Sequence, residues 1–295
     1  MIRVTEQMGL INTQLDRARA RDRLMMLQRQ ASSGRRIFSA SDDPTSASAM
    51  VRLDAEIRET GQHQENITRA INELGAADAA LGAMSDLLVR ARELAISMAS
   101  DHQTAEGRAV AAEEVRQLRE QVMTLANTRH DGVYIFGGYQ TETPPVDEAT
   151  GSVVNDSNVR RIIAAPGLEV DASVAAKDFL DPAGGNDVLG MLDQLATDLE
   201  NDNVSGIAAA TEGMRDSHQQ VTEVRSRAGT RMDRLLGLGS IAEDLEIRQR
   251  ENLSHVADAD MADTLSELVM AQQVLNTTIQ VSAEVLRNLT LVGQL

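Results

Sequence analysis

The chain has no cysteine and no tryptophan in 295 residues, and only two tyrosines and three phenylalanines. Without cysteine there is no disulfide, no thiolate nucleophile and no cysteine-ligated metal, so the redox compartment is left open. With aromatics at 2%, buried cores must be built from Leu, Val, Ile, Met and Ala. Such cores suit long helices packed at close range better than a compact ligand cleft. Lysine is nearly missing too: apart from Lys177, all 28 basic residues are arginine, whose flat two-pronged fork pairs with carboxylates. Residues 1–30 lack the apolar core of a cleavable signal peptide, and no apolar run of 18 or more residues exists to span a membrane. This fits a cytosolic protein, or one exported by a route that does not use such a signal. The formal net charge of -17 disfavours nucleic acid, whose binding rests on clustered Lys and Arg.

What the chain does have is helical periodicity. Its 42% hydrophobic content is enough for buried cores in one large domain or in two to three small ones. Val4, Met8, Ile11, Leu15, Ala18 and Met25 form a stripe near one end, and Met261, Leu265, Leu268, Leu275, Ile279, Leu286 and Leu289 form another near the other. Each is a seam that one helix offers to another. Residues 1–40 hold eight arginines against Glu6, Asp16 and Asp22, a balance of +5, whereas residues 251–295 hold six acids against Arg287, a balance of -5. The expectation is that the two ends pair, and that their stripes are assembly surfaces.

Between the ends, residues 32–41 are rich in Gly, Ser and Arg and read as a break. Asp43 and Pro44 then supply a cap and a first helical residue of fixed φ. In the long helix that follows, Leu74, Ala77, Leu81, Met84, Leu88, Ala91, Ala95 and Met98 hold the three-four spacing without a miss. A shorter helix carries Ala111, Val115, Leu118, Val122 and Leu125. The β-formers Val133 to Phe136 and four of the five prolines, all between 144 and 182, mark an irregular or β insertion. Helix resumes near Val188, and a long periodic segment runs from Val204 toward Val256, with Val221, Val224, Ala228, Leu235, Leu238, Ala242 and Leu245 in phase. A break or cap at Asp258 to Asp263 comes before the last helix.

The predicted fold is therefore mainly α, an elongated rod of coiled-coil-like helices from both termini with a small β-rich insertion domain. Residues 1–42 with 256–295 form a terminal coiled-coil domain, 43–132 with 188–255 a helical bundle, and 133–187 the insertion. The inner stripes read as the core of the bundle, whereas each terminal stripe is thinned by polar residues such as Asp22, Gln272 and Ser282.

No catalytic, cofactor or metal site emerges. Adjacent acids such as Asp42 and Asp43, or Glu113 and Glu114, point apart on a helix, and the former pair reads as a helix start. The run from Asp258 fails as a calcium loop, because its sixth position is Asp263 and its twelfth is Val269. Asp260 with Asp263 reads better as a cap with an acid in the first turn. His63, His102, His130, His218 and His255 are far apart and read as solvated or capping residues. A carboxylate-based metal hydrolase on a helical bundle is the alternative from another class.

Three segments carry a family resemblance. Ser33-Gly34-Arg35-Arg36-Ile37 with Ser41-Asp42-Asp43-Pro44 resembles the amino-terminal signature of the flagellin-like axial protein family. Its Asp-Asp-Pro form is more similar to the hook–filament junction branch than to flagellin. Asp131 to Tyr139, with Tyr134, Phe136 and Gly138, is similar to that branch's entry into its outer domain, and Asp258 to Leu289 resembles the family's last helix. The resemblance implies a non-enzymatic structural subunit without a cofactor, exported through the flagellar secretion channel. Its implied partners are its own copies in a ring, the first hook-associated protein on the hook side, flagellin on the filament side and a possible export chaperone, with no nucleic acid and no membrane. Flagellin itself is the alternative within the family.

Overall fold

A computed structural model describes residues 2–100 and 102–292, except for the side chains of residues 2–7, 9, 10, 285, 286 and 288–292. In chain order the elements are α1 Ile2–Ser33, α2 Pro44–Met98, α3 Ala105–Ala126, β1 Arg129–His130, β2 Val133–Tyr134, β3 Arg161–Ala165, β4 Leu168–Asp171, α4 Lys177–Leu180, α5 Val188–Glu200, α6 Val204–Ala257 and α7 Met261–Val292. The protein is mainly helical, with two small antiparallel sheets, β1–β2 and β3–β4. Two compact units divide it: residues 1–58 with 246–295, and residues 59–245.

The larger unit, residues 59–245, holds the main core. On α2, Leu81, Met84, Leu88, Ala91 and Ala95 are fully buried, and Leu74 and Ala77 nearly so. They pack with Ala111, Val115 and Val122 of α3, Leu192, Leu195 and Leu199 of α5, and Val221, Val224 and Leu235 of α6. The heptad stripe thus finds several partner helices, and each Leu or Met that it hides contributes about 1.5–3 kcal/mol relative to exposure. Local caps start the shorter helices, since the Thr104 and Asp187 side chains accept from Gly107 N–H and Gly190 N–H.

The helix expected near Val188 and the periodic segment expected from Val204 are two helices, α5 and α6, parted at Asn201 to Asn203. Asp202 there takes a left-handed φ of 55°, and Asn203 Oδ1 accepts from Gly206 N–H, starting α6. The buried Arg108 ties this turn to the one between α2 and α3. Its guanidinium donates to the carbonyls of Met98 and Ser100 and to the Asp202 carboxylate.

The segment 129–181 is more irregular than its β-formers suggest. Only Val133 and Tyr134 pair, with Arg129 and His130, while Ile135 and Phe136 turn into the core and Phe136 meets Phe179 edge to face at 4.9 Å. The β3–β4 hairpin turns at Pro166–Gly167 and is bulged between Ile163 and Ala165. Polar clamps hold it: Arg160 to the buried Glu73 of α2, and Arg231 of α6 to Asp171 and to the Ser173 carbonyl.

Candidate assembly surface

The smaller unit is built around the pair α1 and α7, which run antiparallel from a shared root. At that root the two chain breaks are stitched together. Gly34 ends α1 at φ 72°, in the left-handed region that a side chain would disfavour. Its carbonyl accepts from Ala259 N–H at 2.8 Å, and Arg36 N–H donates to the Ala257 carbonyl at 2.8 Å, with Arg35 bridged to Asp258 between them. Gln30 Nε2 reaches the Arg36 carbonyl at 2.9 Å, and the Arg36 guanidinium reaches the Val256 carbonyl at 2.9 Å. Leu27, Ile37 and Ala257 are buried here, and Arg29 lies over the Phe38 ring at 5.7 Å.

The acidic motif residues divide their work. Asp43 Oδ1 accepts from Thr45 and Ser46 N–H at 3.2 and 3.1 Å, capping α2 just before Pro44. Asp42 does not cap. Its Oδ2 accepts from Phe38 and Ser39 N–H at 3.0 and 2.9 Å, holding the loop before it, where Ser39 and Ser41 share a hydrogen bond at 2.6 Å. These backbone donors hold the Asp42 carboxyl below its ordinary range. Hydrogen bonding from Ser46, first among its causes, does the same for Asp43. Across the root, Asp260 Oδ1 accepts from Ala262 and Asp263 N–H and caps α7.

Beyond the root the helices pair, but not through the stripes expected. Among the described residues of α1 the covered ones are Thr13, Ala20, Leu24, Leu27, Gln30 and Ala31. At about 100° per residue, Met8, Ile11, Leu15, Ala18 and Met25 lie roughly opposite that face. They are exposed, Met8 at 63%, Ile11 at 56%, Leu15 at 47% and Met25 at 42%.

On α7 the covered stripe is Thr264, Leu268, Ala271, Leu275, Thr278 and Ser282, an unbroken four-three repeat. Leu268 and Leu275 belong to both stripes, whereas Met261, Leu265 and Ile279 are exposed at 41, 50 and 42%. The side chains of Val4, Leu286 and Leu289 lie outside the described residues. The seam is legible once its hydroxyls are followed. Thr264, Thr278 and Ser282 each donate to the carbonyl four residues back, Asp260, Val274 and Thr278. Satisfied in this way, they can face a partner helix at close range. A search for large apolar residues passes over such a stripe.

The opposite charges meet at Arg23 and Glu267, 2.5 Å apart. Both are about half exposed, and a pair of that kind contributes about 0–1 kcal/mol. Arg19 instead pairs with Asp16 on its own helix. Beside the Arg23 pair, Ala20, Leu27, Met270, Ala271 and Val274 line a shallow apolar groove.

The other motif residues serve structure. Gly138 has φ 60°, and a Cβ there would meet the Asn158 carbonyl oxygen at 2.3 Å. Tyr134 accepts a hydrogen bond from Arg129, whose guanidinium lies 4.3 Å from the centre of the ring. His63 is not solvated as expected: its Nδ1 stands 3.2 Å from the Ile163 carbonyl, between α2 and the β3–β4 hairpin. Among the described residues no group of three or more His, Asp or Glu is placed to hold a metal, and no helix is long and apolar enough to cross a membrane.

The chain is one of long helices that returns to its own start, stitched at paired breaks and leaving apolar faces on its end helices. The family described as the bacterial flagellin N-terminal helical region matches residues 4–141. The chain is 30% identical over 277 residues to flagellar hook-associated protein 3 of Salmonella typhimurium, covering 86% of this chain and 87% of that one. It therefore belongs to the flagellar hook-associated protein 3 family. A flagellin of Listeria monocytogenes is 25% identical over 268 residues, 87% of this chain and 86% of the flagellin. In fold, the chain is similar to a flagellar hook-associated protein of Vibrio parahaemolyticus. That solved structure has a TM-score of 0.68 at 23% identity, with 74% of this chain and 100% of that one covered.

Proposed function

We propose that the protein is a structural, non-enzymatic subunit of the bacterial flagellum that joins hook to filament. One observation carries this reading beyond family membership: a helix pair whose seam is small and partly polar, and whose large apolar residues Met8, Ile11, Leu15, Leu265 and Ile279 stand exposed. A two-helix pair covers one face of each helix, so these residues stay in water until further helices arrive. The partners are other copies of the chain in a ring, the first hook-associated protein on the hook side and flagellin on the filament side. An export chaperone for the last helix would cover the same apolar surface before export. The site of action is the flagellum outside the cell. The motif residues Gly34, Arg35, Asp42, Asp43 and Pro44 act by holding the root from which the pair extends.

Labelling the protein in intact flagella tests this reading. A single mark between hook and filament is the expected result. Marks along the whole filament would identify a flagellin instead, and a deletion strain that keeps full-length filaments would overturn the junction role.

A further inference from the structure

The methionines are unevenly distributed. Among those described, the exposed ones, Met8, Met25, Met26, Met261 and Met270, all lie on α1 or α7. Elsewhere, Met84 and Met214 are fully buried, and Met50, Met98, Met123, Met191 and Met232 are partly covered. Met8 and Met25 belong to the outward face of α1, and Met270 lines the groove between α1 and α7. Methionine is a flexible, polarizable side chain that adapts to unlike surfaces, but its exposed thioether is also open to oxidants.

We propose that these five methionines make the terminal helix pair an oxidant-sensitive assembly switch, a proposal that rests on reading its outer faces as assembly surfaces. The oxidant is a hydroperoxide, in the simplest case hydrogen peroxide. The thioether sulfur attacks one peroxide oxygen, the S–O bond forms as the O–O bond breaks, and the sulfur gives up two electrons. The departing oxygen takes up a proton and leaves as water. The resulting sulfoxide is a polar acceptor in the middle of an apolar face, and docking would have to strip it of water without returning a hydrogen bond. Oxidation therefore acts on the free subunit, and docking protects the same side chains by covering them. The buried methionines of the bundle are spared, so the subunit stays folded while its assembly face changes.

The test treats full-length protein with limiting hydrogen peroxide and maps sulfoxides by peptide mass spectrometry. Helicity by far-ultraviolet circular dichroism and joining to purified hooks are then measured. The expected result is oxidation of Met8, Met25, Met26, Met261 and Met270 ahead of Met84 and Met214, unchanged helicity and loss of joining. In a variant carrying Met→Leu at positions 8, 25, 26, 261 and 270, a volume-conserving change, the same treatment leaves joining at that variant's own untreated level. Equal oxidation of buried and exposed methionines, equal joining by treated and untreated protein, or equal loss in the Leu variant would each overturn this proposal alone. Untreated protein that cannot join hooks overturns it together with the functional reading.

Discussion

The bundle and the terminal pair share a heptad period and meet opposite fates. On α2, Leu81, Met84 and Leu88 are wholly buried, whereas on α1 Met8, Ile11 and Leu15 keep about half or more of their surface in water. Spacing of apolar residues does not separate the two cases; the number of neighbouring helices does. In the bundle α2, α3, α5 and α6 enclose one core, while α1 and α7 have each other and spend their contact on a seam rich in Ala, Thr and Ser. Apolar residues that the monomer cannot cover are a free-energy reserve for assembly.

That contrast can be broken most forcefully in the bundle. Leu88→Ala should cost about 2–5 kcal/mol of folding stability, read by denaturant unfolding. A loss within the range of surface substitutions would mean that the stripe does not hold the core. On the outer face of α1, Leu15→Asp should abolish or strongly weaken joining to hooks while monomer stability stays within about 0.5 kcal/mol. Parallel losses in both would erase the distinction between the two regions. Charge reversal at Arg17, Arg19, Arg21 and Arg23 should have a smaller effect of the same kind, weakening assembly more than stability and less so as salt rises. Insensitivity to salt would assign the loss to altered helix packing instead.

The smallest effect concerns the root. Asp42 and Asp43 have carboxyls held below their ordinary range by hydrogen bonding. Their contribution is therefore present above the unfolded carboxylate pKa and is lost as pH falls through the lower folded value. The protection factors of the Phe38, Ser39, Thr45 and Ser46 amides should fall on acidification through that window. In Asp42→Asn the fall at Phe38 and Ser39 should vanish. Protection that does not change with acid in the parent protein would count against the caps.

Much of this organisation was legible in the residues. Pro44 after Asp43 marked the start of α2, Asp260 the start of α7 and the Gly-, Ser- and Arg-rich run 32–41 the end of α1, because caps and left-handed turns are made by residues close in sequence. The stripe of Leu74, Ala77, Leu81, Met84, Leu88, Ala91 and Ala95 announced a buried face because every position in the three-four repeat is apolar. Less legible were Asp42, which holds the loop behind it rather than a helix ahead, and the turn at Asp202, where no proline or glycine breaks the helical pattern. The α1–α7 seam was hidden for a different reason: Thr264, Thr278 and Ser282 look like interruptions until their hydroxyls are seen bonded within the helix.

The amino-acid sequence by itself thus determined where most of the helices begin and end, which inner stripe is core, and which family of axial proteins the chain resembles. These depend on local geometry and on dense apolar repeats. Tertiary structure alone decided which face of α1 and α7 becomes the seam and which is left exposed. A helix with apolar residues on more than one face has several ways to pack, and the choice falls to the neighbour that the fold brings beside it.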